Sequence, residues 1–359
     1  MTECSHGPCS PVNCIIPPFM VDAIKLRGDA KQRKMAESIE KLAASTREER
    51  EAIPTPATAF VAGQELAAAR GTPSARIEVY DGQKKAALPG KLARKSGQEP
   101  VADTTVNEAF DGSQSTYDLY LSQYSRDSLD GRGMKLVSTV HHRRAYNNAF
   151  WNGRQMAYGD GDGTLFTGFT NSLSVIGHEL SHGVVQFSGG LIYRDQSGAL
   201  NESFADVFGA LTVQYQNQQL ARDADWLIGD GILGPNINGV ALRSMKAPGT
   251  AYDDPVLGKD PQPYHMDDFI VTSSDNGGVH WNSGIPNHAF YLLSQYLGGN
   301  AYDKPGGIWY DTMQKINNPN ATFNEWADLT VAVARARHGA GSREELFTRR
   351  AWKLVGISV

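Results

Sequence analysis

The pattern His178-Glu179-Leu180-Ser181-His182 constrains this chain more than any other stretch. It lies in an apolar run, residues 172–185, that reads as a buried helix. Helix positions i and i+4 share a face, because one turn takes about 3.6 residues. Two imidazoles so spaced can grip one zinc ion, and Glu179 can reach a water on that metal without ligating it. Taken alone, the pattern also fits a helix that happens to carry two histidines.

Zinc in a hydrolase usually takes three protein ligands and leaves a fourth place for water. The third is expected from a nearby acid. Glu202 follows in Asn201-Glu202-Ser203-Phe204-Ala205-Asp206, at the start of a mostly apolar helix read over 201–216. Asp206 lies one turn on, placed to accept the second ring N–H of a ligand histidine and fix its orientation, with Asn201 taken as further support. A helix opening with Glu near its N-terminus looks the same without any metal.

The chain's 359 residues are enough for two or three domains, and 40% hydrophobic with 20% charged residues is ordinary globular composition. A net charge of −5 argues against nucleic acid as the main partner. No stretch approaches the roughly 20 apolar residues of a membrane span. No basic start followed by a long apolar run marks a signal peptide, so the expected location is cytoplasmic as synthesised, with non-classical export open. All three cysteines, Cys4, Cys9 and Cys14, fall in the first fourteen residues, so the rest must fold without a disulfide. They read as an exposed reduced tail or as thiols able to approach a metal.

Along the chain, Gly7, Pro8, Pro11, Pro17 and Pro18 exclude a helix over residues 1–20. The apolar knot Ile15-Ile16-Pro17-Pro18-Phe19-Met20 needs cover and is expected to dock on the remainder. Residues 29–52 read as a helix with the stripe Met35, Ile39, Leu42. Residues 53–73 carry Pro54, Pro56, Gly63, Gly71 and Pro73 and read as a linker open to nicking. Strand patterns follow near 76–92, with Asp81-Gly82 as a hairpin turn, then over 135–141 and 155–158. A helix is expected over 104–124, and Gly159-Asp160-Gly161-Asp162-Gly163 is a tight turn without the closing Glu of an EF-hand. Thr322-x-x-Glu325 and Ser342-x-x-Glu345 read as capping boxes. Strands before residue 170 and helices after it predict an α+β protein of two lobes, with a site between them.

Several blocks together resemble one family. Besides the central motif, these are 190–193, 197–203 with Asp206, Asn147-Asn148-Ala149-Phe150-Trp151-Asn152-Gly153, Leu242-Arg243-Ser244-Met245, and Asp275-Asn276-Gly277-Gly278-Val279-His280-Trp281-Asn282-Ser283-Gly284. Their order and content resemble the thermolysin-like zinc metalloproteases, and the short N-terminal segment with Pro17-Pro18-Phe19-Met20 resembles the protealysin-like branch in precursor form. The resemblance implies a two-lobed zincin, β-rich then helical, joined by the central helix. It implies one zinc per chain on His178, His182 and Glu202, with Glu179 as general base. Tyr193 and His280 would stabilise the oxyanion, and Asp275 would orient His280. Asn148 and the backbone of Ala149 would hold the substrate strand, and Arg243 its carbonyl beyond the scissile bond. Phe169, Val175, Ile228 and Leu242 would line an apolar pocket, giving cleavage on the amino side of bulky hydrophobic residues. The family's double calcium site falls on Ser174, Val213, Asp225, Leu227 and Asp230; three of these five cannot supply a carboxylate, so the site reads as incomplete.

The expected organisation is a propeptide over 1–55, a linker with the maturation region over 56–75, an N-terminal catalytic lobe over 76–187 and a helical lobe over 188–359. The propeptide would inhibit its own enzyme, and a cysteine from it could reach the zinc. The expected activity is a zinc-dependent neutral endopeptidase on protein and peptide substrates. An aminopeptidase and a non-cutting peptide binder are the alternatives; the intact Glu179 argues against the second.

Overall fold

The computed structural model describes residues 13–51 and 73–359. Cys4, Cys9, the side chain of Leu42 and residues 56–72 of the expected maturation region lie outside the described residues.

The N-terminal segment begins with a two-residue strand, β1 (Asn13–Cys14), followed by α1 (Pro18–Arg27) and α2 (Ala30–Glu51). The prolines do not exclude a helix up to residue 20, contrary to expectation. Pro18 sits in the first turn of α1, where its missing N–H has no partner to lose and its fixed φ already suits the helix. Gly28 then ends α1, donating its N–H to Ile24 O at 2.8 Å. Met20, Val21 and Ile24 of α1 and Ala36 and Ile39 of α2 are buried in the same apolar cluster as the catalytic unit, so the segment is docked rather than loose.

The main sheet has the order β1-β5-β6-β4-β2-β3. It contains β2 (Ile77–Asp81), β3 (Lys91–Lys95), β4 (Leu136–Val140), β5 (Ala149–Trp151) and β6 (Met156–Tyr158). Strands β2, β4 and β6 run parallel to their neighbours among themselves, and β3, β5 and β1 are antiparallel additions. Asp81-Gly82 is not a tight hairpin turn. Gly82 N–H donates to Val140 O and Lys84 N–H to His141 O, both at 2.9 Å, so the chain continues beside β4 before returning as β3. The strand β3 is charged in sequence, yet Arg94 is buried over the Phe110 ring (3.9 Å) and paired with Asp111 (3.0 Å).

Helix α3 (Thr104–Tyr124) packs across the sheet, capped by Asp103, which accepts the Thr105 N–H at 3.0 Å. Behind it runs α4 (Leu173–Gln186), buried nearly along its whole length, and against α4 lies α5 (Asp195–Gln216). These two helices touch at glycines. A Cβ on Gly209 would stand 2.5 Å from Ser174 O, and one on Gly177 would stand 2.8 Å from Thr212 Oγ1. The remaining lobe is helical: α6 (Asp275–Asn282), α7 (Gly284–Leu297), α8 (Lys304–Lys315), α9 (Phe323–His338) and α10 (Arg343–Leu354). Short strands interrupt it before α6, as β7 (Leu227–Ile228) pairs with β8 (Arg243–Ser244) and β9 (Asp253–Asp254) with β10 (Gly258–Lys259). Thr322 and Glu325 form the full capping box. Ser342 caps α10, but Glu345 does not return to the Ser342 N–H: its Oε1 accepts from Arg335 Nε (3.0 Å) and its Oε2 from the Gly341 N–H (2.8 Å). The architecture is α+β in two lobes, with α4 between them.

Candidate metal centre and cleft

Helix α4 carries His178 and His182 on one face, their Nε2 atoms 3.0 Å apart. Glu202 stands two turns into α5, which begins at Asp195 and not at residue 201 as expected, and it reaches both: its Oε2 lies 3.6 Å from His178 Nε2 and its Oε1 lies 3.4 Å from His182 Nε2. All three are buried, and each offers a ligand atom within 4.8 Å of the others; no other such grouping of His, Cys, Asp or Glu occurs among the described residues. Glu202 Oε2 is buried with no hydrogen-bond partner. A buried carboxylate oxygen left in that state is costly unless a cation meets it, so the donor set fits zinc.

The opposite ring atoms fix the imidazoles. His178 Nδ1 pairs with Asp206 Oδ1 at 2.8 Å, and His182 Nδ1 with Asn201 Oδ1 at 2.9 Å. Both Nε2 atoms are thereby turned towards the centre. Burial alone would raise the pKa of Asp206, but the charge of Arg243 and the partnership with His178 hold it well below the usual carboxylate range. Arg243, on β8, gives Asp206 two parallel hydrogen bonds, and its Nη1 donates to Ile15 O at 3.3 Å. Asn287, on α7, adds a third donor to Asp206 at 2.9 Å.

Glu179 is buried beside the ligands, and its Oε2 accepts the N–H of Trp151, on β5, at 2.9 Å. Across the cleft, Tyr193 donates to Glu202 Oε1 and lies 3.2 Å from His280 Nε2. His280 Nδ1 pairs with Asp275 Oδ1 at 2.7 Å, and Asp275 Oδ2 accepts the His280 N–H at 2.8 Å. That double contact needs a tight loop. Residues 275–278 all have positive φ, and a Cβ on Gly277 would collide with Asp195 Oδ1 at 2.0 Å. Burial opposes charge on His280, but the carboxylates of Asp275 and Glu202 outweigh it and raise its pKa to about 9. Burial, then Glu202 and Asp275, keep the Tyr193 hydroxyl protonated well above its ordinary range.

Asn148 and Ala149 open β5 at the cleft edge, where Asn148 Oδ1 accepts Ile16 N–H (3.2 Å) and Ala149 O accepts Ile15 N–H (3.3 Å). Phe169, Val175, Ile228 and Leu242 are buried, in one continuous apolar cluster that also contains Ile15. These contacts thus join the expected metal ligands and polar groups into one network, while the four apolar residues are core residues. Two supports were not named from sequence: Asn287, and Gln262, whose Nε2 donates to His280 O at 2.7 Å.

This fold and centre define a metallopeptidase. The chain belongs to the thermolysin metallopeptidase family: residues 67–186 match its catalytic domain and residues 189–357 its alpha-helical domain. It is a metalloendopeptidase, with zinc as the family's metal. Among solved structures it is similar to the precursor of protealysin, a metalloproteinase from Serratia proteamaculans, with 44% identity and a TM-score of 0.85, over 96% of this chain and 100% of that one. An extracellular metalloprotease of Pectobacterium carotovorum subsp. carotovorum is 43% identical over 97% of both chains. Protease PrtS of Photorhabdus sp. (strain Az29) is 50% identical over 78% of this chain and 76% of its own.

The expectation of a cytoplasmic protein is overturned by these relatives, since one that matches over 97% of both chains is named extracellular. Lack of a recognisable basic-apolar leader was too weak a sign to carry that inference.

Proposed function

We propose that the protein is a zymogen whose catalytic unit cuts peptide bonds on the amino side of bulky hydrophobic residues. In this reading residues 1–55 are the propeptide, 56–75 the linker cut in maturation, 76–187 the first catalytic lobe and 188–359 the second. One observation carries it. A buried His-His-Glu centre has Glu179 beside it, and the Ile15 carbonyl accepts from Arg243 while its side chain is wholly buried in the apolar core. The docked α1 and α2 support the propeptide as an inhibitor within the same chain.

Bound zinc would supply Lewis acidity and lower the pKa of water towards about 7. His178, His182 and Glu202 would hold it, with Asp206 and Asn201 orienting the rings. Glu179 takes the proton of the attacking water and passes it to the leaving nitrogen. Tyr193 and His280 donate to the carbonyl oxygen as it gains charge, and one such donor is typically worth roughly 100–1000-fold in rate. Asp275 keeps His280 turned that way. Asn148 and Ala149 align the substrate as an added strand, and Arg243 grips the next carbonyl. Phe169, Val175, Ile228 and Leu242 take the side chain that follows the scissile bond; apolar pockets separate similar residues weakly, so a broad range of substrates follows.

The calcium reading supports a fold that holds without the double site. At that corner Ser174 accepts the Gly229 N–H (2.9 Å), Ser172 donates to Asp230 (3.0 Å), and Asp225 accepts the Leu227 N–H (3.0 Å). Ser174, Val213 and Leu227 add no carboxylate there.

Matured protein should cleave casein and N-terminally blocked peptides before Leu, Ile or Phe, and lose this with a zinc chelator. Cleavage confined to free N-termini would favour an aminopeptidase and sink the reading.

A further inference from the structure

Residues 13–16 do more than fill the cleft. They run antiparallel to β5, with Asn13 opposite Trp151 and Cys14 opposite Phe150. Four contacts then fix which peptide bond faces the metal ligands. The Cys14 carbonyl oxygen lies 3.3 Å from His280 Nε2, which is itself 3.5 Å from Glu202 Oε2. The next N–H, of Ile15, donates to Ala149 O at 3.3 Å. The Ile15 carbonyl accepts from Arg243 Nη1 at 3.3 Å, and the Ile16 N–H donates to Asn148 Oδ1 at 3.2 Å. The Ile15 side chain is wholly buried. A slip of one residue would turn it to the other face and lose every contact. A plug held by bulk alone needs none of this alignment; a substrate needs all of it.

We infer that the N-terminal segment is seated as a substrate, with Cys14–Ile15 the bond presented for hydrolysis and Ile15 its specificity residue. This rests on the endopeptidase reading above. Water adds across the bond: the hydroxyl goes to the Cys14 carbonyl carbon, a proton goes to the Ile15 nitrogen, and the C–N bond breaks. The amine-side product stays. It continues into α1 and α2, Phe19 stacks on Trp281 at 5.0 Å between ring centroids, and Met20, Val21 and Ile24 are buried. A tether this short holds an end at an effective concentration on the order of millimolar. The nicked precursor therefore remains latent, and activation takes a separate cut beyond α2.

The test is intact-mass analysis of zinc-loaded precursor over time, beside Glu179→Ala and a chelated sample. The expected result is release of residues 1–14 with Ile15 as the new N-terminus, in the first sample only. Ile15→Asp should lower the yield at least about tenfold, and Ile15→Leu should keep it. Hydrogen exchange on zinc-loaded Glu179→Ala precursor reads the register without turnover. The Ile15 and Ile16 amides should be protected there, and lose protection when Ile15→Asp is added. A cut at another bond of residues 13–20, or fast exchange at those amides, overturns the inference. So does an intact segment in a precursor that, once matured, cuts a blocked peptide; the endopeptidase reading then still stands. If the matured protein cuts no blocked peptide, both fall together.

Discussion

Arg243 lies against Asp206 with Nε 2.9 Å from Oδ2 and Nη2 2.8 Å from Oδ1, and neither side chain reaches solvent. The pair is buried directly behind His178, so it sets the ring's orientation and the charge behind it. Removing one partner strands the other charge, which costs roughly 3–5 kcal/mol. Asp206→Ala should weaken zinc binding about 10–100-fold, read by competition with a chromophoric chelator. Arg243→Lys should keep the charge, lose the parallel geometry, and fall between the two.

Glu179 is positioned by the Trp151 N–H and contributes no ligand to the grouped centre. Glu179→Gln should leave zinc content and melting temperature near the parent's. Turnover of a blocked peptide should fall roughly 100–10,000-fold. Loss of zinc from this variant would place Glu179 among the ligands instead.

The α4–α5 contact predicts a metal phenotype from a residue that touches no metal. Gly209→Ala places a methyl 2.5 Å from Ser174 O, which can be relieved only by moving α5 away from α4. Glu202 travels with α5. Zinc affinity should drop at least about tenfold, some 1.4 kcal/mol, with circular dichroism of the folded chain little changed.

His141 bridges two acids, Nδ1 2.7 Å from Asp160 Oδ1 and Nε2 3.0 Å from Asp103 Oδ2. Its hydrogen bond to Asp160 raises its pKa, burial opposes this, and Asp103 adds to the rise, giving about 9 against an ordinary 6.5. A folded-state pKa above the unfolded one stabilises fully below about pH 6.5, and the benefit is lost as pH rises through about 9. With part of the ring in contact with water, screening reduces this to about 1 kcal/mol. His141→Gln should lower the melting temperature at pH 6.5 and match the parent at pH 10; an equal deficit at both would exclude the charge as the cause.

Much of this was legible in the sequence because the centre is built from local spacing. His178 and His182 are one turn apart, and Glu202 and Asp206 repeat that interval on the next helix. Apolar periodicity located α3, α4 and α5 for the same reason. What escaped depended on distant partners. Strand β3 reads as charged until Arg94 is seen lying over Phe110. The turn at Asp81-Gly82 opens out because Val140 O and His141 O capture the chain. Pro18 looked like a helix breaker because a first-turn position cannot be told from an interior one without the helix. Asn287 and Gln262 support the site from elements whose approach no local pattern records.

Strand β1 covers β5, the rim along which the catalytic unit's sheet would otherwise end. An uncovered rim offers a row of backbone donors and acceptors to any extended chain. The surface that would receive an extended polypeptide and the surface that would pair with an identical neighbour are thus one and the same, and β1 occupies it. Residues 13–14 thus act as a cap on that margin: while they stay paired to β5, that strand has no open edge to offer another copy of the chain.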